Sequence, residues 1–229
     1  MIDEAASEST APVPAVARDL LSPFIELLPV HGASISVLAG ASQSTLGASD
    51  ALAARLEQLQ FELGEGPHWE ALHSGEPVLV PDVRERRSSW PVFCATASEL
   101  EVGAMFAYPL TLGAVVVGVV DLYRSSAGDL SPSDRAKARS LAAVAASTAV
   151  RLAALAATED QPQQGAWSPE LRRVVHQATG MVLVQLDVTA TEAFARLRAH
   201  AFATGASLES VAQDVVARRL TLDDPAAGG

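Results

Sequence analysis

Cysteine, aromatic residues and long apolar runs are scarce in this 229-residue chain. Cys94 is the only cysteine, which excludes an intramolecular disulfide and a cysteine-rich metal site and favours a reducing compartment. No run of about 18 apolar residues occurs, so we expect no membrane span. The acidic Asp3, Glu4 and Glu8 are the opposite of the positive start of a signal peptide. These absences together predict a cytoplasmic protein.

Positive charge is also scarce, since the formal net charge is −11. Its distribution is uneven along the chain. Residues 1–167 hold 10 basic and 20 acidic side chains, whereas residues 168–222 hold 6 and 5. All six basic residues of that second segment are arginines, which suit planar recognition of phosphates or bases. An acidic body with a near-neutral end lacks the basic footprint of a strong nucleic-acid binder, so the charge leaves RNA binding possible and no more than that.

Residues 168–222 show the local signals of three short amphipathic helices. Ser168 is a good N-cap, and apolar residues then recur at helical spacing. Thr189 and Glu192 form a capping-box pattern at the start of a second helix. Gly205 suits a left-handed helix end, and Ser207 a third N-cap. The segment therefore predicts a three-helix bundle.

The preceding residues predict an α+β domain with an antiparallel sheet flanked by helices. The pattern predicts strands at 33–39, 42–47, 77–81, 103–112 and 114–123, and helices at 15–28, 51–60, 68–73, 92–100 and 131–157. Residues 61–67 read as a turn, and the prolines that bracket 77–81 favour an edge strand. We expect a disordered tail at 1–14 and a C-terminal tail at 223–229. The long helix 131–157 then connects the first domain through a flexible linker, 158–167, to the bundle.

Several motifs of the bundle resemble the ANTAR domain. They are His176-Gln-Ala-Thr-Gly-Met181, Glu192-Ala-Phe194, Leu197-Arg-Ala-His-Ala201 and Val211-Ala212. The resemblance implies an RNA-binding module of bacterial transcription antiterminators, which are thought to grip paired RNA hairpins as dimers. The family usually carries a lysine where this chain has Thr179.

Motifs of the first domain resemble the GAF domain, in the form that actinobacterial proteins place before ANTAR. They are Leu63-Gly-Glu-Gly-Pro67, Pro77 to Asp82, Trp90-Pro91, Tyr108-Pro-Leu110 and Gly118-Val-Val-Asp-Leu-Tyr123. The resemblance covers about residues 15–157 and implies a sensor of a small-molecule or protein signal. In those relatives a cysteine often follows Glu-Gly-Pro, whereas this chain has His68.

These readings nominate three groups of residues. The candidate RNA contacts, which we place on the polar side of the first bundle helix and on the second helix, are Arg172, Arg173, His176, Gln177, Thr179, Arg198 and His200. The candidate ligand contacts, which could equally fill the core, are Trp69, Trp90, Phe93, Met105 and Phe106. The candidate dimer seam, with packing on its own sheet as the less favoured alternative, is Leu141, Ala145, Thr148, Leu152 and Leu155.

No pattern favours a metal site, a catalytic site or a cofactor. His68 and His73 are five apart rather than four, so we interpret them as solvated groups of a short helix. Cys94 lies beside Val92 and Phe93 and is interpreted as a small buried apolar residue.

The sequence thus predicts a signal-responsive, homodimeric, RNA-binding transcription antiterminator that holds hairpins in nascent RNA and prevents terminator formation. An alternative stays open: a ligand-binding or protein-interaction scaffold whose bundle has lost RNA binding.

Overall fold

The computed structural model describes residues 15–39, 42–86, 88–158 and 169–222. The tails predicted at 1–14 and 223–229 lie outside the described residues, as does the predicted linker from residue 159 onward. Within the described part, the molecule consists of a sheet covered by helices on both faces and a separate bundle of three helices.

The sheet is antiparallel throughout and has the strand order β2-β1-β5-β4-β3. Its strands are Gly32–Ala39 (β1), Ser42–Ala48 (β2), Val78–Val80 (β3), Ala104–Leu112 (β4) and Val115–Arg124 (β5). β3 is the edge strand that its flanking prolines predict. The β4–β5 hairpin turns at Gly113, whose φ of +61° glycine adopts without strain. The predicted strands are therefore confirmed, with shifts of a residue or two at their ends.

Helices cover both faces of this sheet. They are Ala15–Leu27 (α1), Ala51–Leu63 (α2), Pro67–Ser74 (α3), Pro91–Glu99 (α4) and Pro132–Thr158 (α5). α1 and α5 pack on one face and α2, α3 and α4 on the other, so the sheet separates two apolar cores. Pro23 lies inside α1 without ending it.

The turn predicted at residues 61–67 begins three residues later in the structure. The last turn of α2 includes Phe61, and the helix ends at Gly64, whose φ is +60° and whose N–H bonds the Gln60 carbonyl. A helix ends where a residue can adopt the left-handed conformation, and Gly64 is the first such position here. The shift brings Phe61 onto the surface of the helix that meets the bundle.

α5 owes its close packing to alanine. Its inner face carries Ala138, Ala142, Ala146 and Ala149, all buried in the core that α5 shares with α1 and the sheet. Among the described residues, α5 is also the one helix long and apolar enough to cross a membrane by length and composition. That is weak evidence for a span, because this inner face already packs within the domain.

The bundle consists of Pro169–Leu186 (α6), Ala190–Thr204 (α7) and Leu208–Val216 (α8). The predicted capping box is present, since Thr189 and Glu192 bond each other's backbone N–H groups. The Ser207 side chain accepts from the Ser210 N–H at the start of α8. These caps satisfy backbone donors that a helix start leaves open, so the sequence fixes the bundle's turns locally.

Candidate functional site

The candidate RNA residues of α6 lie in different environments. Gln177 is exposed and His176 is half-buried, while the side chains of Arg172 and Arg173 lie outside the described part. Thr179 is only 9% exposed, and its hydroxyl donates to the Val175 carbonyl at 2.7 Å. Its predicted place on the solvated side of α6 is therefore wrong. The reason is helical geometry, because residues four apart share a face and Val175 belongs to the bundle core.

Arg198 of α7 is partly withdrawn from solvent. Its guanidinium lies 5.7 Å from the Phe194 ring centroid and packs against Gly64 at the end of α2. A Cβ at Gly64 would lie 1.8 Å from Arg198 Nη1, so the bare glycine makes the contact possible. Burial lowers the pKa of Arg198, and the nearby Glu65 carboxylate partly opposes that effect. Within the described residues, Arg198 Nε has no hydrogen-bond partner.

Aromatic side chains join the bundle to the first domain. Phe61 is 4% exposed and belongs to the apolar cluster of the bundle, and Trp69 packs against the same cluster. The rings of Phe61 and Phe194 lie 5.4 Å apart in a tilted arrangement that suits aromatic pairs. The structure thus brings α7 onto the α2–α3 side of the first domain, and we call this contact the junction.

A buried polar network lies beneath α3, and sequence reasoning missed it. His68 Nδ1 lies 2.6 Å from Asp121 Oδ2, and His68 Nε2 lies 2.8 Å from the Gln43 amide nitrogen. The arrangement fits a neutral imidazole whose Nδ1–H donates to Asp121 and whose Nε2 accepts from Gln43. His68 is 1% exposed, so its interpretation as a solvated group is wrong.

The network continues into α2 and β2. The Gln60 side-chain oxygen accepts from the His68 backbone N–H at 2.9 Å, and Thr45 donates to Glu57 at 2.7 Å. One signal could have revealed it: Asp121 is a carboxylate inside an otherwise apolar central strand. In the part of the chain that the structure describes, no group of three or more His, Cys, Asp or Glu side chains could hold a metal ion. The network's evident role is to fasten α2 and α3 to the sheet.

The candidate ligand residues do not share one site. Trp69 lies at the junction, whereas Trp90, Phe93 and Met105 are buried in the core under α2–α4. Phe106 is buried on the other face of the sheet, because successive strand residues point to opposite faces. Met105 and Phe106 therefore cannot line one cavity. Both residues are observed in core positions, and their role in ligand binding stays a prediction.

The candidate dimer seam also divides. Ala145 is 5% exposed and packs in the core between α5 and the sheet, and Leu141 packs against the same core. Leu155, near the end of the helix, is 56% exposed, and Val144, in its middle and outside the predicted seam, is 74% exposed. Leu141 and Ala145 thus pack on their own sheet, while apolar surface remains at Val144 and Leu155.

Comparison with known proteins places both regions. The GAF domain family matches residues 10–148, and the ANTAR domain family matches residues 168–216. No curated protein matches the chain.

Solved structures are similar over the first region at low identity. A GAF domain/HD domain protein from Geobacter sulfurreducens is 13% identical, with a TM-score of 0.47 over 66% of this chain and 99% of that one. The GAF domain of a phosphoenolpyruvate-protein phosphotransferase from Coxiella burnetii is 15% identical, with a TM-score of 0.48 over 63% of this chain and 88% of that one. The GAF domain of a two-component sensor histidine kinase from Bacillus halodurans is 13% identical, with a TM-score of 0.47 over 63% and 99%.

The first match covers more than half of the chain, and the second coincides with the three-helix bundle. Both domains are of regulatory rather than catalytic kinds. The chain therefore belongs to the GAF family and carries a C-terminal ANTAR domain, the composition of a GAF–ANTAR regulator.

Proposed function

We propose that this protein is a cytoplasmic, non-enzymatic transcription antiterminator whose ANTAR domain binds RNA hairpins under the control of its GAF domain. The observation that carries the proposal is the ANTAR match over residues 168–216, on a segment that folds as a three-helix bundle. The bound hairpins would compete with a terminator in the nascent transcript, so that transcription continues.

The RNA contacts in this proposal are Arg172, Arg173, His176 and Gln177 of α6 and Arg198 and His200 of α7. Arg172 and Arg173 would neutralise phosphates, and neutralised phosphates supply much of the affinity of any nucleic-acid complex. Gln177 is exposed and can read the edge of an unpaired base. Arg198 adds a planar guanidinium that can stack on such a base.

The junction supplies the control step. Arg198 packs against Gly64, and Thr179 and His176 face the GAF domain across a cavity. At the junction His176 and Arg198 keep only part of their surface open to solvent, and Thr179 keeps almost none. Full contact of RNA with His176 and Arg198 would therefore require the bundle to leave the GAF domain, and a signal would act by changing that equilibrium.

Dimerisation completes the proposal. One bundle offers little surface, whereas two bundles aligned by α5 would hold two hairpins and gain avidity without new contacts. The exposed Val144 and Leu155 lie on α5 where a second copy could pack.

The test is RNA binding by the full chain, measured by fluorescence anisotropy with one short hairpin and with two joined hairpins across a salt series. We expect tighter binding to the pair and weaker binding as salt rises. The double variant R172E/R173E should lose at least about tenfold in affinity, with a salt slope lower by roughly one unit for each lost phosphate contact.

The matched control is R218E/R219E, which makes the same charge change in the same domain just beyond α8. Arg219 already pairs with Asp214 at 2.7 Å, and both arginines are exposed. This control should keep most of the affinity. Equal losses in the two double variants would show that net charge rather than the α6 surface governs binding.

A second candidate function, a scaffold whose ANTAR domain no longer binds RNA, is favoured by one observation. Thr179 is buried where the family usually carries a lysine. The scaffold would be supported if folded wild-type protein bound neither the single hairpin nor the joined hairpins at low salt, with or without candidate signal molecules.

A further inference from the structure

A cavity of about 310 Å³ lies at the junction, with walls from both domains. The GAF domain contributes Phe61, Trp69 and Gln43, and the ANTAR domain contributes Thr179, Leu183 and Phe194. A volume of this size is at the lower end of the range for small-molecule sites, which are typically apolar with a few placed polar groups.

The chemistry of the walls defines what fits. Phe61, Trp69 and Phe194 offer three aromatic rings, and the first and last of these are 5.4 Å apart. Trp69 is held in place, since its indole N–H donates to the Gln60 carbonyl at 2.6 Å. Among the described residues that line the cavity there is no Asp, Glu, Lys or Arg, and the titratable side chains are His73 and His176. A cation would thus lose hydration without gaining an anionic partner, and an anion would meet no permanently charged one.

A polar group at one wall of the cavity can orient a bound molecule. Gln43 is 7% exposed, and its amide is held by the Ser36 hydroxyl at 3.0 Å and by His68 at 2.8 Å. His68 is held in turn by Asp121, so the buried network fixes the amide's orientation at the cavity wall. A side chain fixed in this way loses little further freedom when it contacts a ligand.

We propose that this cavity binds a small, neutral, planar aromatic molecule, and that the bound molecule holds the ANTAR domain at the junction. The second part follows from the shared walls. A molecule that contacts both domains has its full set of contacts only while they are together, so it favours that arrangement. Where the proposed function holds, such a molecule opposes RNA binding.

Gly180 provides a direct test, because it lines the cavity and a Cβ built there meets no atom within 4 Å. Gly180 is exposed, so leucine there would add a bulky side chain at the mouth of the cavity, whereas alanine would add only a methyl group. Both replacements remove a glycine from the interior of α6 and should stabilise that helix to a similar extent. The variants G180L and G180A therefore differ mainly in the free volume of the cavity.

The probe is 5-fluoroindole, observed by fluorine NMR in titrations of the full chain. We expect saturable binding to wild type, a dissociation constant within about twofold of wild type for G180A, and at least about tenfold weaker binding to G180L. Equal affinities for G180L and G180A, or no saturable binding to wild type, would overturn the site. As a control for charge, 4-fluorobenzoate should bind more weakly than 5-fluoroindole, and tighter binding of the benzoate would overturn the assignment to neutral molecules.

The coupling has its own readout. Coupling free energies are reciprocal, so joined hairpins should weaken 5-fluoroindole binding by the same factor by which the probe weakens RNA binding. RNA binding that leaves the probe affinity unchanged or raises it would overturn the coupling. A protein that binds the probe but no RNA would instead refute the proposed function and leave the cavity site standing.

Discussion

Tyr108 shows how a single buried group can set a pH dependence. Its side chain is 1% exposed in the core between the sheet and α5. Within the described residues, its hydroxyl has no hydrogen-bond partner, and burial raises its pKa to about 12. Replacement by phenylalanine removes an unsatisfied polar atom, so Y108F should be more stable than wild type by about 1 kcal/mol near neutral pH.

The same substitution should have a larger effect in alkali. An unfolded tyrosine ionises near pH 10, whereas folded Tyr108 keeps its proton to about 12. The unfolded state therefore binds fewer protons than the folded state between these pH values. The free energy of unfolding of wild type should fall by about 1.4 kcal/mol per pH unit in this range, and that of Y108F should not show this fall. Urea unfolding of both proteins at pH 8, 10 and 11 checks this. A stability difference that stays constant with pH would contradict it.

The pair His68 and Asp121 makes a second prediction at this scale. Asp121 Oδ2 accepts from His68 Nδ1 in a buried setting, so D121A would leave a buried neutral donor unpaired and should cost about 2 kcal/mol. D121N keeps an acceptor oxygen and should lose less than half of that. The urea unfolding midpoints of the two variants measure these losses of stability. Equal losses in D121A and D121N would contradict a stabilising role of the hydrogen bond.

Single residues were predictable where their role is local. Thr189, Glu192 and Ser207 cap helices through bonds that span only three residues, and Gly113 makes its turn by its own conformation. The pair His68 and Asp121 lies 53 residues apart in the chain. Its existence depends on how α3 docks on β5, which local patterns do not record.

At the scale of elements, the end of α2 couples helix geometry to the junction. Gly64 has a φ of +60°, and a Cβ there would meet the Arg198 guanidinium at 1.8 Å. G64A should therefore lose about 1–2 kcal/mol to left-handed strain, and its Cβ should displace the Arg198 guanidinium, which is the mobile end of a long side chain. We expect the loss of this contact to weaken the junction, seen as faster hydrogen exchange in α7 and a larger radius of gyration in X-ray scattering.

Gly113 is the matched control for strain. Its φ of +61° is nearly the same, and a Cβ there meets nothing within 4 Å. G113A should lose similar stability within the GAF domain and leave the scattering curve and α7 exchange unchanged. An identical response of the two variants would mean that Arg198 yields without moving the bundle.

Element types and order were predictable because hydrophobic periodicity and capping signals agree along the chain. Hydrophobic periodicity does not show whether another domain covers a second face of an amphipathic helix. The pattern of α6 predicts that Thr179 is solvated, yet this residue is buried in the bundle and lines the cavity shared with the GAF domain. Likewise, Leu141 and Ala145 fit a dimer seam and an internal core equally well, and only the packing of α5 on the sheet separates those readings.

At the scale of the whole molecule, two opposite faces of the GAF domain have different proposed partners, the ANTAR domain and a second copy of the chain. The α2–α3 side of the GAF domain holds the ANTAR domain, while α5 lies across the opposite face of the sheet. A second copy on α5 would therefore leave the junction accessible. Dimerisation and release of the bundle can thus be altered separately, which gives each a distinct variant.

Val144 is the position for the last test, because it is apolar, 74% exposed and set in the middle of α5. A charge there would need desolvation in any interface, so V144E should convert a dimer into monomers in sedimentation velocity experiments. Avidity would disappear with the dimer, so the affinity for joined hairpins should fall toward that for a single hairpin. The expected loss is tenfold or more, since linkage can raise affinity by roughly 10²–10⁴. S133E is the charge-matched control, since it adds a carboxylate to the first turn of the same helix, where the helix dipole favours it. A V144E monomer that still prefers joined hairpins would contradict a dimeric mode of RNA binding.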